Sequence, residues 1–510
     1  MSYNVYAFPD GEKYGSGFLV KLDGKQIDLH TARVSKYPFN RRWPGHQRDI
    51  SQSEEICFAS FSMNGSVEVS VKPDFDFEKV VIRPISKKIE YKRVNDEIVF
   101  TLSEPMYITV EFSGRSNALH IFADEEIKYE ATGDVIYYGK GIHDVGQIDL
   151  KSNQTLFIDE GAVVYACIKA KNADNIRIIG HGILDNSRNK EKILFEANEK
   201  NNDCAVNNVK RQHTIQLEYC NNIEINGITI RDSLVYNIRP MACKNLEIAN
   251  IKIIGCWRYN SDGIDMHNCE DVHIYNCFIR TFDDSICVKG FDFYYDGSKE
   301  DIEKAVNEAI YKNGRKYDVF KNVIVENCTI WNDWGKCLEI GAETRAEEIS
   351  NITFRNCDII HVTASPLDCY NVDFADVHDI VYENINIEYD DVIPILKLQK
   401  SDEDVYTNDD ALDYCPYMFN ASVMYHFEYS AGGVRRGKNR NIIVRNINLY
   451  TKNHPLKIRL SGCDSEHKTE NIHISDIYVN GKKIENAEDI QFVIEDNVSN
   501  VTFNGAKIYD

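Results

Sequence analysis

Asn222-Ile223-Glu224-Ile225-Asn226-Gly227-Ile228-Thr229-Ile230 is answered, after a short interval, by Asn245-Leu246-Glu247-Ile248-Ala249-Asn250-Ile251-Lys252-Ile253. Each stretch opens on Asn, alternates apolar and polar residues, turns at Gly or Asn five positions on, and is apolar again at the eighth. The same pattern starts at Asn175, Asp271, Asn322, Asn351, Asp379, Asn441, Asn471 and Asn500. The fifth-position residues include Gly180, Asn276, Asn327, Asn356, Asn384, Asn446, Asp476 and Gly505. Gly, Asn and Asp tolerate left-handed backbone angles that β-branched residues do not. Each unit therefore reads as two short strands joined by a one-residue corner. Neither strand buries its inner face alone, so the units must stack as coils. Stacked equivalent strands form parallel sheets, and equivalent Asn side chains should form a hydrogen-bonded ladder. This predicts an all-β right-handed parallel β-helix. A leucine-rich repeat needs Leu at fixed places and a shorter period, and Leu is not the repeated residue.

The first 130 residues lack the repeat. Ser66-Val67-Glu68-Val69-Ser70-Val71 and Tyr107-Ile108-Thr109-Val110-Glu111-Phe112 alternate as half-buried antiparallel strands do. Turn signals such as Asp23-Gly24 and Asn64-Gly65 separate such runs. The expected organisation is an N-terminal antiparallel β-sandwich over 1–132, capping the end of a β-helix over 133–510. Two insertions interrupt the repeat. Ser298 to Ile310 predicts a short helix with Ile302, Ala305, Val306, Ala309 and Ile310 on one face, walling a cleft. A second, about 400–440, carries Tyr406, Tyr414, Tyr417, Tyr425, Phe427 and Tyr429, which either stack on sugars or pack the outside of a coil.

The chain has 510 residues, 43% of them hydrophobic, and a net charge of −22. That charge excludes nucleic acid and anionic membranes as partners and argues against a polyanionic substrate. Met1-Ser2-Tyr3-Asn4-Val5-Tyr6 shows no signal-peptide pattern, and no apolar run reaches membrane-spanning length. The 15 Cys include no Cys-x-x-Cys pair. Cys277, Cys328 and Cys357 share one repeat position, as small buried apolar residues would. These features predict a cytoplasmic protein with no metal and no cofactor.

Set within the repeat are two acidic clusters. Asn260-Ser261-Asp262-Gly263-Ile264-Asp265 is followed about one coil later by Thr281-Phe282-Asp283-Asp284-Ser285-Ile286. One coil apart on a stacked scaffold, Asp262, Asp283 and Asp284 should meet on one surface. Crowded carboxylates cannot all ionise easily, which suits acid/base chemistry. Asp265 reads as structural, and it points the way Asp262 does only if the strand is bulged. His267 and His361 read as surface residues. Trp331 and Trp334 either stack on a sugar or cover the coil edge.

Over residues 134–510 these features resemble glycoside hydrolase family 28, the polygalacturonase-like enzymes, and their clan relatives in family 49, the dextranases and isopullulanases. Asn260-Ser261-Asp262 is similar to the family's Asn-Thr-Asp motif, Asp283-Asp284 to its Asp-Asp pair, and Gly180-His181-Gly182-Ile183-Leu184-Asp185 to its early Gly-x-Gly-x-Ile-Asp segment. Two other motifs depart. Gly335-Lys336-Cys337-Leu338-Glu339 stands in the Gly-His-Gly place, and Leu367-Asp368-Cys369 where Arg-Ile-Lys is expected. In polygalacturonases that Arg and Lys grip a substrate carboxylate, and Leu, Asp and Cys would repel it.

The resemblance therefore implies an inverting glycosidase acting on a neutral oligosaccharide or polysaccharide. Asp283 is the expected general acid, and Asp262 and Asp284 the pair that activates water. Acid and base carboxyls should lie about 6.5–9.5 Å apart. Lys289 and Lys336 are expected to bind hydroxyls or temper the charge, with Trp334, Glu339 and Asp368 as further substrate-binding residues. Three alternatives stay open: a polygalacturonase-type hydrolase of pectin fragments, a β-helix polysaccharide lyase, and a non-catalytic glycan-binding β-helix.

Overall fold

The corners dictate the architecture. Every pattern start, from Asn175 to Asn500, has a left-handed backbone, with φ between 52° and 60°. The fifth-position residues are left-handed as well, from Asn446 at 52° to Gly180 at 126°. A computed structural model describes residues 3–38, 50–192, 212–291, 311–312, 314–390, 416–426 and 436–510, with Lys304, Glu308 and Ser430 besides. It is a right-handed parallel β-helix whose sheet of 31 strands runs from Asp134 to Tyr509.

The expected ladder is present. Asn222 Nδ2 donates to Asn175 Oδ1 at 3.0 Å, Asn245 to Asn222 at 2.9 Å, Asn351 to Asn322 at 2.8 Å and Asn500 to Asn471 at 2.7 Å. At Asp271 and Asp379 the carboxylate accepts from the next coil, at 2.7 and 3.1 Å, but has no N–H to pass the chain back. A second ladder joins Asn384 to Asn356 and Asn446 to Asn384.

Each coil holds three strands, not the two that the Asn pattern reveals. In one coil they are Asn221–Asn226, Thr229–Arg231 and Ile238–Met241. The third strand has no Asn corner of its own, so the repeat does not announce it. Its equivalents are Ile264–His267, Ile286–Lys289, Leu338–Ala342, Leu367–Asn371, Phe419–Val423 and Lys457–Ser461, paired in parallel register. Inward residues such as Ile225, Ile230, Ile264, Ile286 and Leu338 stack into one continuous core, which Cys277, Cys328 and Cys357 join as buried thiols.

The N-terminal segment forms two sheets around a separate core. One pairing departs from the antiparallel expectation: Leu119–Glu125 runs parallel to Ser53–Met63. Nor does the sandwich cap the end of the β-helix. Val34, Ile56, Phe58 and Phe122 pack against Ile183, Ile254, Phe278, Trp331 and Ile360, so it lies along the flank of several coils. The reason is the outer face of the second strand in each coil, which is apolar there and needs a cover. Buried charge accompanies that contact. Lys252 Nζ is 3.0 Å from Asp124, His361 Nε2 is 2.6 Å from Glu111, and Arg115 pairs with Asp333 and Asp390. Trp331 belongs to this interface, with the Arg280 guanidinium 3.8 Å from its ring, so it covers the coil and meets no sugar.

The helix expected over 298–310 lies outside the described residues except at Lys304 and Glu308, which are helical. Of the second insertion's aromatics, Tyr417 and Tyr425 are described, Tyr425 exposed; Tyr406, Tyr414, Phe427 and Tyr429 lie outside.

Asn351 tests the corners. Asn351→Ala loses both the ladder bond and the tolerance of a φ of 54°, about 1–3 kcal/mol together. Asn351→Gly keeps the angle and loses about 1 kcal/mol. Equal losses in urea denaturation would show that the corner does not need Asn for its backbone angle.

Candidate active site

The acidic residues sit in the turns that lead into the third strands. Backbone bonds stack those turns: Asn237 N–H donates to Asp262 O at 2.9 Å, Gly263 N–H to Asp284 O at 2.8 Å and Ser285 N–H to Lys336 O at 2.8 Å. Asp262, Asp284 and Lys336 thus hold the same place on three successive coils, with Asp283 one residue earlier. One oxygen from each of Asp262, Asp283 and Asp284 lies within 4.8 Å of the others. That is closer than the 6.5–9.5 Å expected of an inverting acid and base. The cause is the scaffold: neighbouring strands are about 4.8 Å apart, and the three residues occupy adjacent turns.

The turn carrying Asp283 and Asp284 is held from the next coil. Asn332 Nδ2 donates to Asp283 O at 2.7 Å and reaches Thr281 Oγ1, Ser285 Oγ and Lys336 O as well. Asp284 Oδ1 accepts from Lys336 N–H at 2.9 Å, and Asp283 Oδ2 from Asn260 N–H at 3.1 Å. Gly335 allows this closeness, since a Cβ there would lie 2.4 Å from Asp284 N.

Two ammonium groups meet the carboxylates. Lys289, whose side chain is 4% exposed, has Nζ 2.8 Å from Asp265, 3.5 Å from Asp262, 3.6 Å from Asp284 and 3.7 Å from Glu343. Lys336 pairs with Glu339 and lies 3.0 Å from Asp368, which also accepts from Asn420 Nδ2 at 2.8 Å. Glu339 and Asp368 are buried, and the Lys336 side chain, 25% exposed, is paired with both. Asp283 and Asp284 are half-buried and reach solvent. Trp334 is half-buried too, with Phe282 stacked at 5.6 Å and Tyr259 edge-on at 4.8 Å.

These surroundings separate the three aspartates. Burial first, then the charge of Asp284, pushes Asp283 up to about 8. Burial, then Asp265 and Asp283, holds Asp262 well above the usual carboxylate range. Burial pushes Asp284 up as well, but Lys289 and then Lys336 outweigh it, and its carboxyl is held below the usual range. Asp284 is thus favoured in its charged form, and burial biases Asp283 and Asp262 toward the protonated one. This supplies a proton donor and a proton acceptor within one turn.

Sequence reasoning left Asp265 outside the site. It is the second residue of the strand Ile264–His267 and faces outward by simple alternation, while Asp262 lies in the turn, so no bulge is needed. Glu343, just past the strand Leu338–Ala342, and Asn332 were not singled out at all; neither falls in a motif, and only the stacking places them. His267 and His361 are both buried rather than on the surface: His267 Nδ1–H donates to Gly290 O at 2.9 Å, and His361 sits between Glu111 and Asp390.

The fold and the site define a class of protein: a parallel β-helix that presents a cluster of aspartates on stacked turns. Within that class the family is settled. The pattern of the glycosyl hydrolases family 28 matches residues 138–408, more than half of the chain, and the protein belongs to that family. A polygalacturonase from Gossypium barbadense is 28% identical over 198 residues, covering 37% of this chain and 44% of the relative. A probable polygalacturonase from Vitis vinifera is 35% identical over 86 residues, 16% of this chain and 18% of the relative. The chain thus spans less than half the length of these curated relatives. Among solved structures, Dex49A from Penicillium minioluteum shares 13% identity, covers 96% of both chains and superposes with a TM-score of 0.57, a likeness of fold.

Proposed function

We propose that the protein hydrolyses O-glycosidic bonds of a neutral oligosaccharide or polysaccharide with inversion at the anomeric carbon. Asp283 is the general acid. Its proton passes to the glycosidic oxygen as the bond to the anomeric carbon breaks. Water attacks that carbon from the opposite side and gives its proton to Asp284, while Asp262 hydrogen-bonds the same water. Asp283 ends ionised and Asp284 protonated, and solvent restores both. The observation that carries this reading is the unequal surroundings of adjacent residues: Asp284 has the Lys289 ammonium at 3.6 Å and the Lys336 N–H at 2.9 Å, which hold its carboxyl down, while burial and the charge of Asp284 push Asp283 up to about 8. A general acid near neutral pH needs the first, and a base needs the second. Inversion rests on the two carboxyls on the water's side, not on the separation, which is short for it.

Neutrality of the substrate rests on charge. Five further carboxyls, Asp262, Asp265, Glu339, Glu343 and Asp368, surround the pair, and both lysines are engaged with them. Among the described residues, a uronate would add a negative group where no uncommitted ammonium meets it. Polygalacturonate is the second reading, favoured by what the curated relatives are called.

The alkaline limb of kcat/KM should fall near pH 8, since activity needs Asp283 protonated and is lost as pH rises through about 8. Asp283→Asn should lower kcat by about 10²–10⁴-fold and leave oligosaccharide binding intact. A flat profile to pH 10, or a fully active Asp283→Asn, would remove Asp283 from the chemistry. In a panel of purified glycans, reducing ends should be released from a neutral glycan and not from polygalacturonate. Release from polygalacturonate alone would overturn the neutral substrate and leave hydrolysis standing.

A further inference from the structure

Lys289 is almost wholly buried among carboxyls. It ends the strand Ile286–Lys289, with 4% of its side chain exposed, and its ammonium lies within 4 Å of four carboxyls from four different places. Asp262 comes from the turn of the preceding coil, Asp265 from that coil's strand, Asp284 from its own coil's turn, and Glu343 from the coil after. The Tyr236 ring lies 5.4 Å from the ammonium. Cys287, in the same strand, is the other titratable neighbour, its thiol held well above the usual range by burial and then by Asp265.

A single positive charge cannot balance four negative ones. A buried carboxylate with no share of that charge takes up a proton instead. The ammonium therefore supports charge on some neighbours more than on others: Asp284, at 3.6 Å, is half-buried and also supported by Lys336, whereas Asp262, at 3.5 Å, is buried beside Asp265 and Asp283. Asp283 has no ion-pair contact with Lys289; Asp284 does, at 3.6 Å. Lys336 adds to the same side, since its backbone N–H donates to Asp284 Oδ1 at 2.9 Å.

We propose that Lys289 is a positioning residue that decides which member of the Asp283–Asp284 pair carries the negative charge, with Asp265 and Glu343 as the buried counter-charges that hold the ammonium in place. This rests on the reading of Asp283 as acid and Asp284 as base. Lys289 does not grip the sugar. It acts through Asp284, and a change at Lys289 alters the division of protons before it alters binding. Glu343 competes with Asp284 for the ammonium, so its charge sets how firmly Asp284 stays ionised.

Full pH profiles of kcat and KM for Lys289→Met and Glu343→Gln test the proposal on the whole chain, with the hydrolysed glycan from the panel as probe. Asp284 must be ionised to act, so the acid limb marks its titration. Lys289→Met should move that limb up by about one pH unit or more. Below that limb it should lower kcat about tenfold at a given pH, with KM changed less than about twofold. Glu343→Gln keeps the ammonium and removes a competitor, so its acid limb should move down. This second variant decides the matter if Lys289→Met does not fold. A raised KM with unchanged kcat in Lys289→Met would make Lys289 a sugar-binding residue. An unmoved acid limb in Glu343→Gln would remove the charge-sharing account. Either result overturns the proposal while wild-type hydrolysis continues; a wild-type protein without hydrolytic activity overturns both this proposal and the reading beneath it.

Discussion

Each coil of this protein must turn at residues whose backbone is left-handed, and Asn is the side chain that tolerates that angle while still offering both a donor and an acceptor to the coils on either side. That dual use locks the stacking register. A slip by one residue would break the ladder and send the inward Ile and Leu residues to the outside. Everything else inherits the register. Asp262, Asp284 and Lys336 align because the strands that follow them pair Ile264 with Ile286 and Ile286 with Leu338.

The site then follows from a shortage of positive charge in a confined space. Like charges in equivalent positions on adjacent strands are destabilising. Here the strain is relieved by protonation of some carboxyls and by two lysines that support the others. The outcome is not symmetrical, because the Lys289 ammonium and the Lys336 N–H both contact Asp284. Asn332, bonded to three groups of that turn and to Lys336 O of its own coil, holds the backbone that carries the two aspartates. The interface with the sandwich uses the same devices for a different end: Arg115, Asp333, His361 and Glu111 are buried and paired, and they hold the flank of the coils rather than a reacting group.

The parts legible in the sequence were those with a period. Two of the three strands in each coil carried Asn, Gly and Ile at fixed offsets. Asp262, Asp283 and Asp284 stood out because two acidic clusters one coil apart are unusual within such a pattern. The third strand was hidden because it has no repeated corner residue and its outward row is irregular: Asp265, Glu339 and Asp368 share one register position with Cys287 and Asn420. That variability is what a surface fitted to a ligand produces, and it is why Glu343 and Asn332 escaped notice. The flank position of the sandwich was hidden for another reason. Ile254, Phe278 and Trp331 look like ordinary strand residues until the inward row is known, and only then is their outward row seen to be apolar.

The account is tested most directly by running the cleavage in water enriched in heavy oxygen and examining the fresh product by mass spectrometry and NMR. One labelled oxygen should appear at the anomeric carbon, in the configuration opposite to that of the bond cleaved. An unlabelled, unsaturated sugar would mean elimination rather than attack by water, and a labelled product of unchanged configuration would mean a covalent intermediate; the first contradicts hydrolysis by these aspartates, the second contradicts their division into one acid and a water-activating pair.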